Sequence, residues 1–393
     1  MKLFLSQVVR TAPHFQRSTN IQLDYRDAEK ICDYIPSTAH LKALENIVRG
    51  IDTWQRAHVL FGPYGVGKSL LGVVLINIFS KSSLYSPPLA ALEKRIEKDF
   101  PGEFPALVTA IKQEDRYLPV VLNGDQGDLE KALLNALQMA LKNEGLNELT
   151  IPSVFNSVTK TLESWRVKYP DTLEALKSYL KKRNANLDEF RRKILGFNEA
   201  ELNWFLDIYP QLTSGAVYTY QGNQETIKIL KETARELQSR GYRGMIIIYD
   251  EFGRFLENRI AQPLGRDMAF LQDLAEESCH NKEEEIHIVL LSHKTFGQYA
   301  YGLNDDIERE WRRIEGRFSL QSIHSDNDIY IRLLDEAITR PKPELWDQFL
   351  REKQRFLEKL YDRTIRLEIF KNYSSQQIKE RLIKGCFPLH PLT

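Results

Sequence analysis

Gly62-Pro63-Tyr64-Gly65-Val66-Gly67-Lys68-Ser69 matches the pattern Gly-x-x-x-x-Gly-Lys-Ser/Thr in full. It stands between an apolar stretch that reads as a short strand, Ala57 to Phe61, and a stretch that reads as a helix, Ser69 to Phe79. Strand, glycine-rich turn and helix in that order are what a phosphate-cradling loop requires. The glycines let backbone N–H groups turn inward, and the positive end of the helix adds its field. A turn that merely uses glycine is the competing reading, and the flanking strand and helix argue against it. On the loop reading Lys68 reaches the β and γ phosphates and the Ser69 hydroxyl ligates Mg²⁺, with Leu70 closing the contact stretch.

Working outward, the second informative stretch is Met245-Ile246-Ile247-Ile248-Tyr249-Asp250-Glu251, an apolar strand ending in two acids. Asp250 at the mouth of a buried strand suits a magnesium shell, and Glu251 suits the base that orients or deprotonates an attacking water. The alternative is that Asp250 caps the next element and Glu251 is solvated. Taken with the loop, the pair makes ATP and Mg²⁺ the expected ligands and hydrolysis the expected chemistry. The chain has neither an Asn-Lys-x-Asp guanine reader nor a Leu-Ser-Gly-Gly-Gln signature. Glu251-Phe252-Gly253 lacks the His-Arg-Asp loop that would make it a protein-kinase element.

Between and beyond these stretches the pattern alternates. An amphipathic helix is expected over Ala39 to Ile51, a strand over Leu118 to Leu122 and a helix over Gly127 to Lys142. Further helices follow over Gln224 to Arg240 and Gly265 to Cys279, then a strand over Ile286 to Leu291. A helix over Asp305 to Ile314 and a last strand over Ser319 to His324 complete the series. This alternation predicts a parallel sheet. From Asn147 to about Thr213 the spacing is helical throughout, as in Leu173 to Lys182 and Ala200 to Ile208, punctuated by Pro152, Pro170 and Pro210. After the last strand only helices are expected, Ile329 to Ile338 and Glu344 to Phe370.

Three further groups are candidates. Ser292 or His293, at the end of the Ile286 strand, suits a γ-phosphate sensor, Ser292 being preferred because the histidine ring is bulky; either also suits an ordinary strand-end turn. Asn123, ending the Leu118 strand, suits a group that holds Glu251 inactive, or simply a turn residue before Gly124. Of Arg312, Arg313 and Arg317, Arg317 is the choice for an arginine reaching a neighbouring subunit's phosphate; a salt-bridged surface arginine is the alternative.

Composition bounds the rest. Over 393 residues, 54 basic and 54 acidic side chains cancel, so any nucleic-acid binding must come from local patches. Lys177, Lys181, Lys182, Arg183, Arg191, Arg192 and Lys193 form such a cluster, but Glu174, Asp188 and Glu189 interrupt it, and a solvated helical face is the better reading. Cys32, Cys279 and Cys386 show no Cys-x-x-Cys pairing, which fits a reducing, cytoplasmic setting. No stretch approaches the roughly 20 apolar residues of a membrane span, and the first residues lack a signal-peptide pattern.

The order found, from phosphate loop through Asp250-Glu251-Phe252 and Ser292-His293 to Glu315-Gly316-Arg317-Phe318, resembles AAA+ ATPases of the origin-recognition (ORC/Cdc6-like) and STAND kind. Tyr34-Ile35-Pro36, Gly62-Pro63-Tyr64-Gly65, Asp250-Glu251-Phe252-Gly253-Arg254-Phe255 and Phe387-Pro388-Leu389-His390-Pro391 look like the large ATPases of bacterial anti-phage systems such as BREX. The resemblance implies an α/β fold: a parallel-sheet P-loop core of the ASCE/AAA+ type in strand order 5-1-4-3-2, with a helical insertion and a helical C-terminal lid region. The expected division is a lead-in segment over 1–52, a core over 53–146 and 214–325, an insertion over 147–213 and a lid over 326–393. It also implies ATP at a subunit interface of a homo-oligomer, with Arg317 acting in trans. Lys68 and Asp250 are much further apart than a minimal core needs, so the insertion's role does not transfer. The lack of a well-placed lid arginine implies a longer natural chain. Three functions fit: an ATP-hydrolysing switch or motor with other defence-system proteins on nucleic acid, a STAND-like scaffold that oligomerises on ATP binding, or an ORC-like DNA loader.

Overall fold

The sheet takes its form from strands that are apolar on both sides. In the strand Gly244–Asp250 every residue is buried. Met245, Ile247 and Tyr249 enter one core while Ile246 and Ile248 enter another. A strand two residues in period and buried on both faces belongs inside a parallel sheet covered by helices. The computed structural model describes residues 4–12, 19–27, 31–32, 34–81, 86–149, 154–195, 198–218, 226–259, 265–324, 327–371 and 373–391.

Five strands build this sheet: β1 (Ala57–Phe61), β2 (Tyr117–Asn123), β3 (Gly244–Asp250), β4 (Glu285–Ser292) and β5 (Ser319–Ser322). All neighbours run parallel, in the order β2-β3-β4-β1-β5. Read from the other edge this is 5-1-4-3-2, the order the resemblance implies. Each strand lies within a residue or two of its expected range, although β5 stops at Ser322 rather than His324 because only Ile323 N–H continues the pairing, to Phe61.

Helices Thr38–Thr53, Lys68–Ser80, Ser86–Asp99 and Pro105–Lys112 cover one face, and Leu129–Asn143, Thr226–Gln238 and Arg266–His280 cover the other. Ser86–Asp99 and Pro105–Lys112 carry no counterpart in the sequence reading. The expected helix from Gln224 is observed from Thr226 to Gln238, Gln224 itself lying outside the described residues.

The stretch after β2 is helical as expected: Val154–Lys168, Pro170–Lys182, Leu187–Leu195 and Glu199–Leu212. Pro170 opens its helix, Pro210 lies inside the last one, and Pro152 is outside the described residues. These helices bury a core of their own, including Phe155, Trp165, Leu176, Phe190 and Phe205. The basic cluster is largely neutralised here. Lys177 pairs with Glu174, Arg191 with Glu163, Lys193 with Glu189 and Glu201, and Arg183 with Glu201 while lying over Trp204.

The expectation that only helices follow the last strand is corrected. Ile338–Thr339 forms a short antiparallel ribbon with Arg10–Thr11, a pairing across most of the chain that no local pattern announces. The following helix runs Pro343–Thr364 and stops short of Phe370, with a 3₁₀ turn over Glu368–Phe370. Together with Ile331, Ile378 and Leu382, Phe370 packs into a separate small core. Among the described residues no helix is long and apolar enough to cross a membrane.

Candidate functional site

Parallel strands present their C-terminal ends together, and four of the candidate groups meet there. β1 runs directly into the glycine turn, where Gly67 (φ +85°) begins the helix Lys68–Ser80 in a left-handed conformation. Gly62 is required for another reason: a Cβ there would lie 2.0 Å from the Ile323 carbonyl oxygen. The first N–H groups of the Lys68–Ser80 helix lack intrahelical partners, as at any helix start, and they converge with the dipole on one spot. The turn therefore has the build of an anion cradle.

Lys68 is buried, and its Nζ donates to the carbonyl oxygens of Gly62 (2.6 Å) and Pro63 (2.7 Å) and lies 3.3 Å from His293 Nδ1. Burial lowers the Lys68 pKa, against the opposing pull of Asp250. Asp250, the last residue of β3, accepts the Glu251 N–H at 2.9 Å, and the Ser69 hydroxyl lies near enough to act on its carboxylate. Burial raises the Asp250 pKa, while the Ser69 hydroxyl, the Glu251 N–H and the Lys68 charge oppose it. The two halves of the expected site, far apart in sequence, thus lie together, with Ser69 and Lys68 acting on the Asp250 carboxylate.

Glu251 sits at φ +52°, a strained setting for a side chain with a Cβ, and starts the short helix Phe252–Glu257. Its carboxylate pairs with Arg254 at 3.0 Å. Asn123 lies directly across from Asp250 in the β2–β3 register, and its Oδ1 is buried without a hydrogen-bond partner. Among the described residues no hydrogen bond joins it to Glu251.

At the end of β4, Ser292 is fully buried and donates to Tyr299 Oη at 3.4 Å. It is His293, the less favoured candidate, that turns to the loop. Its ring lies against that of the exposed Tyr64, centroids 3.4 Å apart, and beside Lys68. Burial and the Lys68 charge hold its pKa down. Bulk, the reason for preferring serine, is absorbed by the open flank of the loop, where a cleft of about 780 Å³ is lined by Tyr64, His293, Tyr301 and Arg312 among others.

Arg317 is not free. It forms an ion pair with Glu276 and donates to the Arg313 carbonyl oxygen at 2.7 Å. Arg312 pairs with Glu308, and Arg313 with Glu310. Pairing inside the chain is the arrangement described for all three.

One residue next to the loop, His40, escaped sequence reading, and Tyr34 entered it only through the resemblance carried by Tyr34-Ile35-Pro36. His40 and Tyr34 lie beneath the loop, His40 bonded to Val66 O at 2.8 Å. His40 stands in an amphipathic helix where a buried polar side chain gives no periodic signal of its own. No protein-family model matches the chain, and no curated protein is detectably similar to it.

Proposed function

We propose that this chain binds ATP with Mg²⁺ and hydrolyses it to ADP and phosphate, using a P-loop core of AAA+ type as a nucleotide-driven switch. The observation that carries the reading is that the glycine-rich turn and the buried Asp250 end strands at the same edge of one parallel sheet, β1 and β3 on either side of β4, with Ser69 and Lys68 near enough to act on the Asp250 carboxylate. The donor set fits a hard divalent cation: a hydroxyl and a carboxylate, both oxygen, the latter held where burial disfavours its uncompensated charge. Ser69 and Asp250 would hold Mg²⁺, which when bound neutralises charge on the phosphates.

The chain's own groups do the rest. The loop N–H groups and Lys68 orient the phosphates, Lys68 exchanging its bonds to Gly62 and Pro63 for phosphate oxygens. Glu251 takes a proton from water once released from Arg254. On the resemblance alone, we place the activity in a bacterial anti-phage assembly.

The Glu251–Arg254 pair also favours the scaffold reading, in which turnover is slow and ATP binding drives assembly. The test is phosphate release from ATP together with solution mass with ATP, with ADP and without nucleotide. We expect Mg²⁺-dependent release that EDTA abolishes. No release together with no nucleotide binding overturns the proposal, whereas binding with ATP-dependent assembly and negligible release selects the scaffold.

A smaller effect is expected for Arg254→Ala. The pair is exposed, so freeing Glu251 should raise basal turnover by only about two- to fivefold. Unchanged steady-state turnover would show that Arg254 does not restrain the base.

A further inference from the structure

We propose that His40 is a positioning residue of the phosphate loop, its Nε2–H holding the Val66 carbonyl outward so that the Gly67 N–H turns into the cradle. The inference rests on reading that loop as a nucleotide site, and it concerns how the loop is held in shape.

His40 lies in the helix Thr38–Thr53 and is 7% exposed, with its N–H capped by Ser37 Oγ at 3.0 Å. Its Nε2 stands 2.8 Å from Val66 O and its Nδ1 3.0 Å from Tyr34 Oη. A carbonyl oxygen only accepts, so Nε2 must carry the hydrogen. In the neutral ring Nδ1 is then an acceptor, and Tyr34 O–H donates to it. Tyr34 is buried, and burial raises its pKa far above neutrality, so the donor persists. The Tyr34 and His40 rings are also stacked, 11° from parallel, which fixes the imidazole plane.

The consequence for the loop follows from peptide geometry. The Val66–Gly67 bond is not among the cis bonds of the described residues, so its C=O and N–H point in opposite directions. Pulling the carbonyl toward His40, beneath the loop, aims the Gly67 N–H at the side where a phosphate sits. The imidazole also explains a packing constraint: a Cβ on Gly67 would approach His40 Cε1 to 3.2 Å. The segment that carries Tyr34 is itself anchored, because Arg332 Nη1 donates to Pro36 O at 2.9 Å and Nη2 pairs with Asp99 at 2.7 Å.

The experiment is calorimetric titration of the full chain with Mg²⁺·ADP, comparing wild type with His40→Leu, His40→Gln and Tyr34→Phe, and following each by thermal melting. Leucine removes the donor, and we expect affinity to fall about tenfold, the scale of one lost hydrogen bond that orders a ligand group. Glutamine places an amide N–H near the Nε2 position and should restore most of the loss. A second readout does not depend on how the leucine variant folds: ¹⁵N imidazole signals of the wild type should show a single Nε2–H tautomer for His40, retained in Tyr34→Phe because the Val66 carbonyl still accepts from Nε2.

Wild-type affinity in His40→Leu overturns the proposal. So do equal losses in the leucine and glutamine variants, or an Nδ1–H tautomer in the wild type. Failure of the wild type itself to bind ADP would instead overturn the nucleotide reading on which the proposal rests.

Discussion

Replacing Glu251 by glutamine is expected to lower ATP turnover at least about a hundredfold while leaving ATP affinity within about a factor of three of wild type. The side chain is nearly isosteric, so the left-handed backbone at φ +52° that aims it from the end of β3 is no more strained than before. What disappears is the ability to take a proton from water. The Glu251 side chain makes none of the loop's hydrogen bonds: its partner is Arg254, whereas Lys68 bonds to Gly62 and Pro63. Binding and chemistry should therefore separate. Lys68→Ala is the converse change, removing the one cation inside the loop, and affinity itself should fall with it. Both quantities come from phosphate release and equilibrium binding on the same preparations. Normal turnover in Glu251→Gln would remove the base assignment. A large loss of binding would mean that Glu251 holds the site together.

The two halves of the candidate site were legible in the residues. A phosphate loop is a local object: its turn, its helix start and the strand before it occupy neighbouring positions, and Ala57–Phe61 is observed over the range expected. Asp250 and Glu251 were legible for a related reason, since a run of buried apolar residues ending in acids marks where a strand leaves the sheet. Arrangements that depend on long-range approach were not. The ribbon of Arg10–Thr11 with Ile338–Thr339 joins segments with no shared periodicity. Arg317 finds Glu276 on a helix separated from it by β4, so a motif that suggested a free arginine could not reveal its partner. The choice between Ser292 and His293 turns on which side chain faces the loop, and strand-end geometry decides that, with Ser292 buried against Tyr299 and His293 against Tyr64.

At the other end of the same strands the fold carries a cost that should appear as acid instability. His58 on β1 and His287 on β4 are 1% and 0% exposed, and no ring nitrogen of either has a hydrogen-bond partner. Phe79 and Tyr117 pack around His287, and Glu285, Arg56 and Arg243 surround the pair, with Asp115 beyond Arg243. Burial, helped by His287, pushes the His58 pKa down from 6.5 to about 4. Burial likewise lowers that of His287.

In the unfolded chain these rings protonate near their ordinary value. Between the two pKa values the unfolded state therefore binds a proton that the native state refuses. Stability present above about pH 6.5 is lost as pH falls, and for His58 alone the loss by pH 4 is on the order of 3 kcal/mol. Glu285 acts lower down. Burial alone would raise its pKa, but His287, Tyr117 and Arg243 around it and the Arg56 charge hold it at about 2, so its contribution survives to about pH 4.5 before fading.

Denaturant unfolding across pH 7 to 4 should show the upper stage in the wild type. His58→Leu, which removes that titrating ring, should flatten the pH 6.5 to 4.5 segment while the steeper fall below it remains. Because the slope and not the absolute stability is read, any packing change made by leucine drops out. An unchanged slope would move the acid sensitivity from His58 to another titrating group.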